Sequence, residues 1–315
     1  MNVVFFGTPR FACPFLTALI DDPVIKVVAA FSQPDKPAGR GGDLLAAPVK
    51  LLAQDHLIPT QTPKSLRKDP AIVSLLKRYD ADLFVVVAYG KILPKEILDI
   101  PKMGAINVHP SILPRHRGPS PMQAAIAQGD LQTGVTIMLL DEGMDTGPLL
   151  ASETIQIDDN ETYSSLEKKV HLQGPGLLVE TLHRYHAGQI EPIPQDEEKA
   201  TLTHLLKRDD GHVVWSESLG EIERKSRAWQ NWPGLWSMWD RVSGVCIRLK
   251  LISVRPSDFR ADVPPGTATV KDGRLFIDCA NGTLEILEIQ PEGKPKMNAA
   301  AFIQGYPDIH RSLLT

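Results

Sequence analysis

The sequence predicts an α/β domain built on a mostly parallel sheet over residues 1–190, then a smaller C-terminal β-barrel over 209–315. Three observations predict this. Short apolar runs alternate with helical spacings through the first half of the chain. One of them, Leu83–Val87 (LFVVV), is apolar without interruption, as a strand covered on both faces must be. Beyond residue 210 the texture changes to short β-prone runs. Lys271-Asp272-Gly273 and Ala280-Asn281-Gly282 separate them, and Asp-Gly and Asn-Gly are hairpin-turn pairs. At roughly 100–200 residues per domain, 315 residues suffice for two cores.

Taken in order, residues 2–6 form an apolar strand ending in Gly7-Thr8-Pro9. Phe11, Phe15, Leu16 and Leu19 follow at helical spacing. Gly7 lacks the second and third glycines of G-x-G-x-x-G, so the segment reads as a tight strand–helix turn and not a dinucleotide site. Residues 25–31 are the next strand. The stretch 32–48, SQPDKPAGRGGDLLAAP, breaks the rhythm, with Gly39, Gly41 and Gly42 around Arg40. A connection this long in a compact domain is functional or disordered. Helices at 48–55, 69–78, 94–99 and 120–128 fit between this segment and strands at 83–87, 105–109 and 134–140. A helix over 162–187 is expected to break or bend near Gly174-Pro175-Gly176 and to stop at Gly188. Residues 191–208 open with EPIPQDEEKA, acidic and proline-containing, and read as a linker. Runs at 245–254, 266–270, 274–279 and 283–290 supply the barrel. Trp229, Trp232, Trp236 and Trp239 lie within eleven residues and read as its anchoring core, or as platforms on which bases stack.

Composition narrows the class. Hydrophobic residues make up 43% and charged residues 23%, ordinary globular usage that excludes wholesale disorder. No apolar run approaches the roughly 18 residues of a membrane helix, and the N-terminus lacks a basic region followed by a long apolar stretch. Cys13, Cys246 and Cys279 are odd in number and widely spaced, which suits a reducing cytoplasm and excludes a disulfide scaffold. A cytoplasmic protein without a membrane contact is expected. Net charge is −4, and residues 210–315 carry 13 basic and 13 acidic side chains. A nucleic-acid partner therefore requires folding to gather scattered cations on one face.

Asn107 and His109 are two residues apart at the end of a predicted strand, so both side chains share a face. Ligands bind at the carboxyl ends of strands in open α/β sheets. An imidazole moves protons near neutral pH, and an amide NH2 can donate to a developing oxyanion. The same residues could instead cap the strand end. Asp145, in Asp141-Glu142-Gly143-Met144-Asp145-Thr146-Gly147-Pro148, either orients an imidazole or caps backbone N–H groups in a turn. His183 and His186 share a helix face without an acidic partner set, so no metal is expected there.

Together these segments are more specific than any one alone. INVHPSILPRHRG followed by TGVTIMLLDEGMDTGPLL resembles the folate-dependent formyltransferases, whose pattern is N-x-H-x-S-L-L-P and then D-x-G-x-D-x-G. MNVVFFGTPRFA, SQPDKPAGRG, VVVAYGKILP and WPGLW extend the likeness over nearly the whole chain, toward the branch that formylates methionyl initiator tRNA. The resemblance implies a Rossmann-like catalytic domain over 1–190, a linker over 191–208, and over 209–315 a tRNA-binding barrel resembling an OB-fold. It implies transfer of formyl from 10-formyltetrahydrofolate to the amine of methionine on initiator tRNA, by a monomer without a metal. By position it implies catalytic roles for Asn107, His109 and Asp145, and folate contacts from Ser111, Ile112, Leu113 and Pro114. It also implies a tRNA contact from Arg40 in the inserted loop. Arg224, Lys225, Arg227, Arg241, Arg248 and Lys250 are candidate phosphate contacts on the barrel. Ile112 for leucine conserves volume. Pro110 stands where the family often has glycine, and His116 where many members carry an aromatic residue. A formyltransferase for a small amine would share the triad but lack the Pro/Gly/Arg loop and the barrel. A hydrolase releasing formate from the same folate is a second rival. A catalytically inert RNA-binding module is a third, and the intact triad pattern argues against it.

Overall fold

The computed structural model describes residues 1–38, 43–67 and 69–315. It divides into two compact units. The first comprises Met1–Pro121, Gln132–Gln156 and Glu167–Thr203; the second comprises Met122–Leu131, Ile157–Leu166 and His204–Thr315.

In chain order the first part runs β1 (Asn2–Gly7), α1 (Cys13–Asp21), β2 (Lys26–Phe31), the hairpin β3 (Lys36–Ala38) and β4 (Asp43–Leu45), α2 (Pro48–Asp55) and β5 (Thr60–Gln61). Then come α3 (Pro70–Arg78), β6 (Leu83–Val87), α4 (Lys95–Leu98), β7 (Ala105–His109), α5 (Pro121–Gln128), β8 (Gln132–Leu139), β9 (Leu149–Gln156) and α6 (Tyr163–His186). The sheet order is β5-β2-β1-β6-β7-β8-β9. The first five strands are parallel, and β8 and β9 are antiparallel. β6 is buried along its whole length between β1 and β7, as its unbroken apolar run requires. Strand β9, absent from the sequence reading, is an edge strand. Only Leu150 and Ile155 are buried in LLASETIQ, too sparse a row to announce a strand.

Two expectations change. α6 runs unbroken for 24 residues with Pro175 inside it. Proline in a helix interior costs about 3 kcal/mol. Tertiary packing offsets this: Gly174 presses against the Phe15 ring, where a Cβ would come within 2.8 Å. Residues 193–203 are also not a free connection. Ile193 and Leu149 exchange backbone hydrogen bonds of 2.8 and 2.9 Å, and Arg117 bonds to Thr201 and Thr203. This acidic stretch is a strap docked on the first unit.

The strand ends of the first unit are tied to one another. Thr8 Oγ1 donates to the Tyr89 carbonyl at 2.9 Å, and Gln33 Nε2 donates to Tyr89 and Gly90 carbonyls at 3.0 and 3.1 Å. Gly90 sits at φ +77°, where a side chain would be strained and would strike the Gln33 amide. Gly7 closes the tight β1–α1 turn against Phe5, Ala12 and Val87, with no nucleotide fingerprint around it.

The second unit adds α7 (Leu219–Ala228), β10 (Leu235–Asp240), β11 (Cys246–Ser257), β12 (Ala268–Lys271), β13 (Arg274–Asp278), β14 (Thr283–Pro291), β15 (Met297–Asn298) and α8 (Ala299–Gly305). A Ser218–Glu221 capping box starts α7. The antiparallel sheet runs β10-β11-β14-β13-β12, with β15 beside β14. Residues 311–315 join its two edges and give the curled sheet its barrel form. Met238 and Thr315 exchange bonds of 2.7 and 2.9 Å, while Leu314 N donates to Gly266 and Ala268 N to Ser312. Of the clustered tryptophans, Trp239 is fully buried in this core and Trp229 packs against it. Trp236 lies along His212 and Arg248, and Trp232 is half exposed.

Glu285 on β14 is buried between Arg274 and Arg255. Hydrogen bonds from Arg274, then from Arg255, outweigh the desolvation of burial and hold its carboxyl down at about 2. Its folded value lies below its ordinary 4.5, so its stabilisation is complete above that pH and is lost as pH falls toward 2. Glu285→Gln should cost on the order of 2 kcal/mol at pH 7 and flatten the acid loss of stability over that window. Urea unfolding of the second unit across a pH series measures both; an unchanged acid limb would contradict the assignment.

Candidate active site

β7 places Asn107 and His109 on one face of the sheet, as the spacing predicted. β8 runs antiparallel beside it, with Ile106 opposite Leu139 and His109 opposite Thr136. The chain therefore leaves β8 at the wrong end of β7 to meet His109. It reaches the site because residues 140–148 fold back over the sheet. Gly147 allows the fold: a Cβ there would overlap the Leu139 carbonyl oxygen. The turn is braced by Asp141, whose Oδ1 accepts from Gly143 N at 2.9 Å and Thr146 Oγ1 at 2.7 Å. Asp145 adopts φ +55°, a left-handed conformation costing on the order of 1 kcal/mol for a residue with a Cβ.

The three polar side chains converge. Asp145 Oδ2 accepts from Gly118 N at 2.8 Å and lies 3.6 Å from His109 Nδ1; Oδ1 is 3.4 Å from Asn107 Nδ2. Gly118 sits at φ +107° with the Thr203 carbonyl too near to admit a side chain. His109 is buried, and its Nε2 lies 2.9 Å from the His116 carbonyl oxygen. A carbonyl only accepts, so Nε2 carries a proton and Nδ1, facing Asp145, is the position where a proton can come and go. His116, the family departure, thus contributes its backbone to the site. Asn107 has two amide hydrogens and a single long bond to Asp145, which leaves a donor for a substrate oxygen.

Ser111-Ile112-Leu113-Pro114 forms a buried brace under this loop. Ser111 Oγ donates to Arg115 O at 2.7 Å, and Thr136 Oγ1 donates to Ser111 O at 2.6 Å while accepting from Leu113 N at 3.2 Å. Ser111 and Leu113 are buried; Ile112 and Pro114 keep some exposed surface. The Ile112 side chain lies close to Gly134 on β8. A cleft of about 440 Å³ opens at the Gly104–Ala105 end of β7, the end away from His109, lined also by Lys95, Leu98, Asp99, Met103, Leu139 and Leu140 and by Asp141 and Glu142 from the start of the Asp145 loop.

Sequence reasoning missed Gln195, Arg117 and Glu197. Gln195 Nε2 donates to the Asp145 and Gly147 carbonyls at 2.8 and 2.7 Å. Its Oε1 accepts from Arg117 Nε and an Arg117 terminal nitrogen at 3.1 and 2.9 Å. Glu197 takes the Arg117 guanidinium on both oxygens at 2.7 and 2.8 Å, which raises the Arg117 pKa and lowers that of Glu197. Within the second unit, most of the predicted phosphate contacts already have partners. Arg224 donates to the Ala127 carbonyl and Lys225 pairs with Glu217. Arg227 binds Glu223 and the Glu161 carbonyl, Arg241 binds Asp308 through two nitrogens, and Arg248 binds Glu292. Lys250 is exposed on β11. Arg40 lies outside the described residues. Among the described residues no cluster of His, Cys, Asp and Glu could hold a metal, and no helix is long and apolar enough to cross a membrane.

Residues 1–182 match the formyl transferase family model, and residues 205–307 match that of the formyl transferase C-terminal domain. A methionyl-tRNA formyltransferase of Roseiflexus sp. (strain RS-1) is 43% identical over 97% of this chain and 92% of its own. One from Myxococcus xanthus (strain DK1622) is 42% identical over 97% and 95%. Among solved structures, WlaRD, a sugar 3N-formyl transferase, aligns with a TM-score of 0.63 at 17% identity, covering 94% of this chain and 99% of its own. HypX from Aquifex aeolicus in complex with tetrahydrofolic acid aligns at 0.61 and 18% over 97% of this chain, which spans about half of HypX (47%). At such identities the two structures share the fold.

Thr136 is the pin of the brace, because its buried hydroxyl serves Ser111 and Leu113 at once. Thr136→Val keeps shape but leaves the Leu113 N–H without its acceptor, so it should destabilise by about 1–3 kcal/mol. It should also slow turnover, since the brace carries the loop that ends at Gly118. Denaturant unfolding and kcat, measured on the same sample, check both; wild-type stability would show the brace to be dispensable.

Proposed function

The chain belongs to the formyl transferase family, and from that premise we propose that it formylates methionine carried on initiator tRNA, with 10-formyltetrahydrofolate as donor. The product is N-formylmethionyl-tRNA for translation initiation. The observation that carries this reading is the convergence of Asn107, His109 and Asp145 in a chain aligned over almost its full length with methionyl-tRNA formyltransferases.

The residues suit the formyl donor. Ile112 and Pro114, which keep exposed surface, are the parts of the Ser111–Pro114 motif able to touch it, whereas Ser111 and Leu113 act through the brace.

In the reaction the methionine amine forms a C–N bond to the formyl carbon and the formyl–folate C–N bond breaks. Asn107 Nδ2 would donate to the formyl oxygen as negative charge builds on it, and one such donor is typically worth about 2.7–4 kcal/mol. With Nε2 protonated, His109 would accept a proton at Nδ1 from the amine nitrogen once it has bonded to the formyl carbon, and return that proton to the folate nitrogen as it leaves. General acid–base help of this kind contributes roughly 10²–10⁴-fold. Asp145 Oδ2 lies 3.6 Å from Nδ1, close enough to orient the ring during that transfer. Burial of His109 keeps water from competing for the proton.

Arg40, in the Pro/Gly-rich loop, would contact the acceptor end of the tRNA. Local ion pairs already occupy most of the cations expected on the barrel, which favours the loop as a principal polyanion contact.

His109→Ala should fold normally and lower kcat for formyl transfer to Met-tRNA by about 10³-fold or more. A folded variant within about threefold of wild type would remove His109 from the mechanism. Arg40→Ala should weaken transfer to Met-tRNA by the worth of one charged hydrogen bond, about 1.5–3 kcal/mol, and leave affinity for the formyl donor unchanged. The salt dependence of tRNA binding should become shallower as fewer counterions are released. A loss confined to donor affinity would instead place Arg40 at the folate.

A further inference from the structure

We infer that Gln195 is a positioning residue for this reaction: from the strap, its side-chain amide holds the Asp145 backbone so that the carboxylate faces Asn107 and His109. The inference rests on the reading of Asp145 as catalytic.

The loop that carries Asp145 has little to hold it by packing. Asp141, Glu142, Gly143 and Met144 are exposed, and Asp145 itself sits at φ +55°. Such a conformation persists only where the surroundings over-determine it. Gln195 does this from outside the loop, because both amide hydrogens are committed to consecutive anchor points, the carbonyls of Asp145 at 2.8 Å and Gly147 at 2.7 Å. Its orientation is unambiguous. Carbonyls only accept and the Arg117 guanidinium only donates, so Nε2 must face the loop and Oε1 must face Arg117.

The strap fixes where Gln195 begins. The Ile193–Leu149 backbone pair sets its register two residues earlier, at the start of β9, where the Asp145 loop ends. Arg117 is likewise fixed. Its side chain is buried, Glu197 grips the guanidinium from the strap, and its backbone donates to Thr201 O at 2.9 Å and accepts from Thr203 N at 2.7 Å. The residue after it, Gly118, donates to the Asp145 carboxylate. Asp145 is thus held at two places, its carboxylate by Gly118 N and its carbonyl by Gln195, and both holds run through Arg117.

The geometry explains why glutamine stands in this acidic stretch. A carboxylate at 195 would satisfy Arg117 but would turn acceptors toward two carbonyl oxygens. Gln195→Glu therefore separates two roles. If Gln195 only ties the strap down through Arg117, the variant should behave as wild type. If it positions Asp145, the variant should keep its melting temperature within a few degrees while kcat falls about ten- to a hundredfold, the usual consequence of a misplacement near 1 Å. KM for Met-tRNA and for the formyl donor should stay within about twofold, since no substrate contact is altered.

A folded Gln195→Glu with wild-type kcat, or with its whole loss in KM, overturns the inference. Should that variant fail to fold, Gln195→Met keeps the length without donors or charge and reads out the same way. Asp145→Asn run in parallel separates the premises. Full activity in Asp145→Asn would sink the catalytic reading and the inference with it. A crippled Asp145→Asn beside a fully active Gln195→Glu would sink the positioning role alone.

Discussion

The Asp145 carboxylate has to reach a strand whose neighbour leads the chain away from it. Because β8 is antiparallel to β7, its last residues lie opposite Ile106, whereas His109 is at the far end of the strand. At about 3.3 Å per residue, the loop must double back over roughly 10 Å of sheet. The surrounding architecture follows from this one requirement. Gly147 must pass against the Leu139 carbonyl, Gly118 must take a φ forbidden to other residues, and Asp145 must accept a left-handed backbone. The pattern D-x-G-x-D-x-G is therefore a description of a reversal: Asp141 ties its start, the glycines allow close approach, and Asp145 arrives at the imidazole.

The proton inventory of the site follows from the same placement. His116 is an unusual residue in its motif, yet its role here is played by a backbone oxygen that any side chain would leave in place. That oxygen commits His109 Nε2 as a donor and leaves Nδ1, the nitrogen facing Asp145, as the one whose hydrogen-bond role is not fixed by the backbone. Asn107 is poised differently. Its 3.4 Å bond to Asp145 is long enough to be surrendered to a substrate oxygen at little cost.

The parallel strands, the Asn107–His109 face and the Asp145 turn were legible because each depends on local pattern. LFVVV and AINVH match their strands to the residue. What was hidden depends on distant partners. α6 runs through Pro175 because Phe15, some 160 residues earlier, packs against Gly174. Strand β9 shows its neighbour only two buried apolar side chains. The strap is the sharpest case. Its acidic, proline-containing sequence has the composition of a linker, and its prolines cannot donate to a sheet, yet Gln195 is ordered by Arg117 nearly eighty residues away. Composition reports solvation, and it is silent about a single amide with two committed hydrogens. The usable signal was the lone neutral side chain between Glu191 and Glu198 with both a donor and an acceptor.

The same distinction governs the basic residues of the second unit. Counting charges gives a neutral domain, and counting arginines suggests a phosphate-binding face, but neither number is what a polyanion meets. Arg241 is bound by Asp308 through two nitrogens, Arg227 is held by Glu223 and a carbonyl, and Arg255 and Arg274 enclose Glu285. To engage a phosphate, each must exchange one charge-assisted pair for another and leave a carboxylate behind, so the net gain is small. A cation without an acid beside it gives the full benefit of neutralising a phosphate. Net charge and arginine count therefore say less about affinity for a polyanion than the pairing of each cation does, because a guanidinium already held by a carboxylate brings a phosphate little that it has not spent.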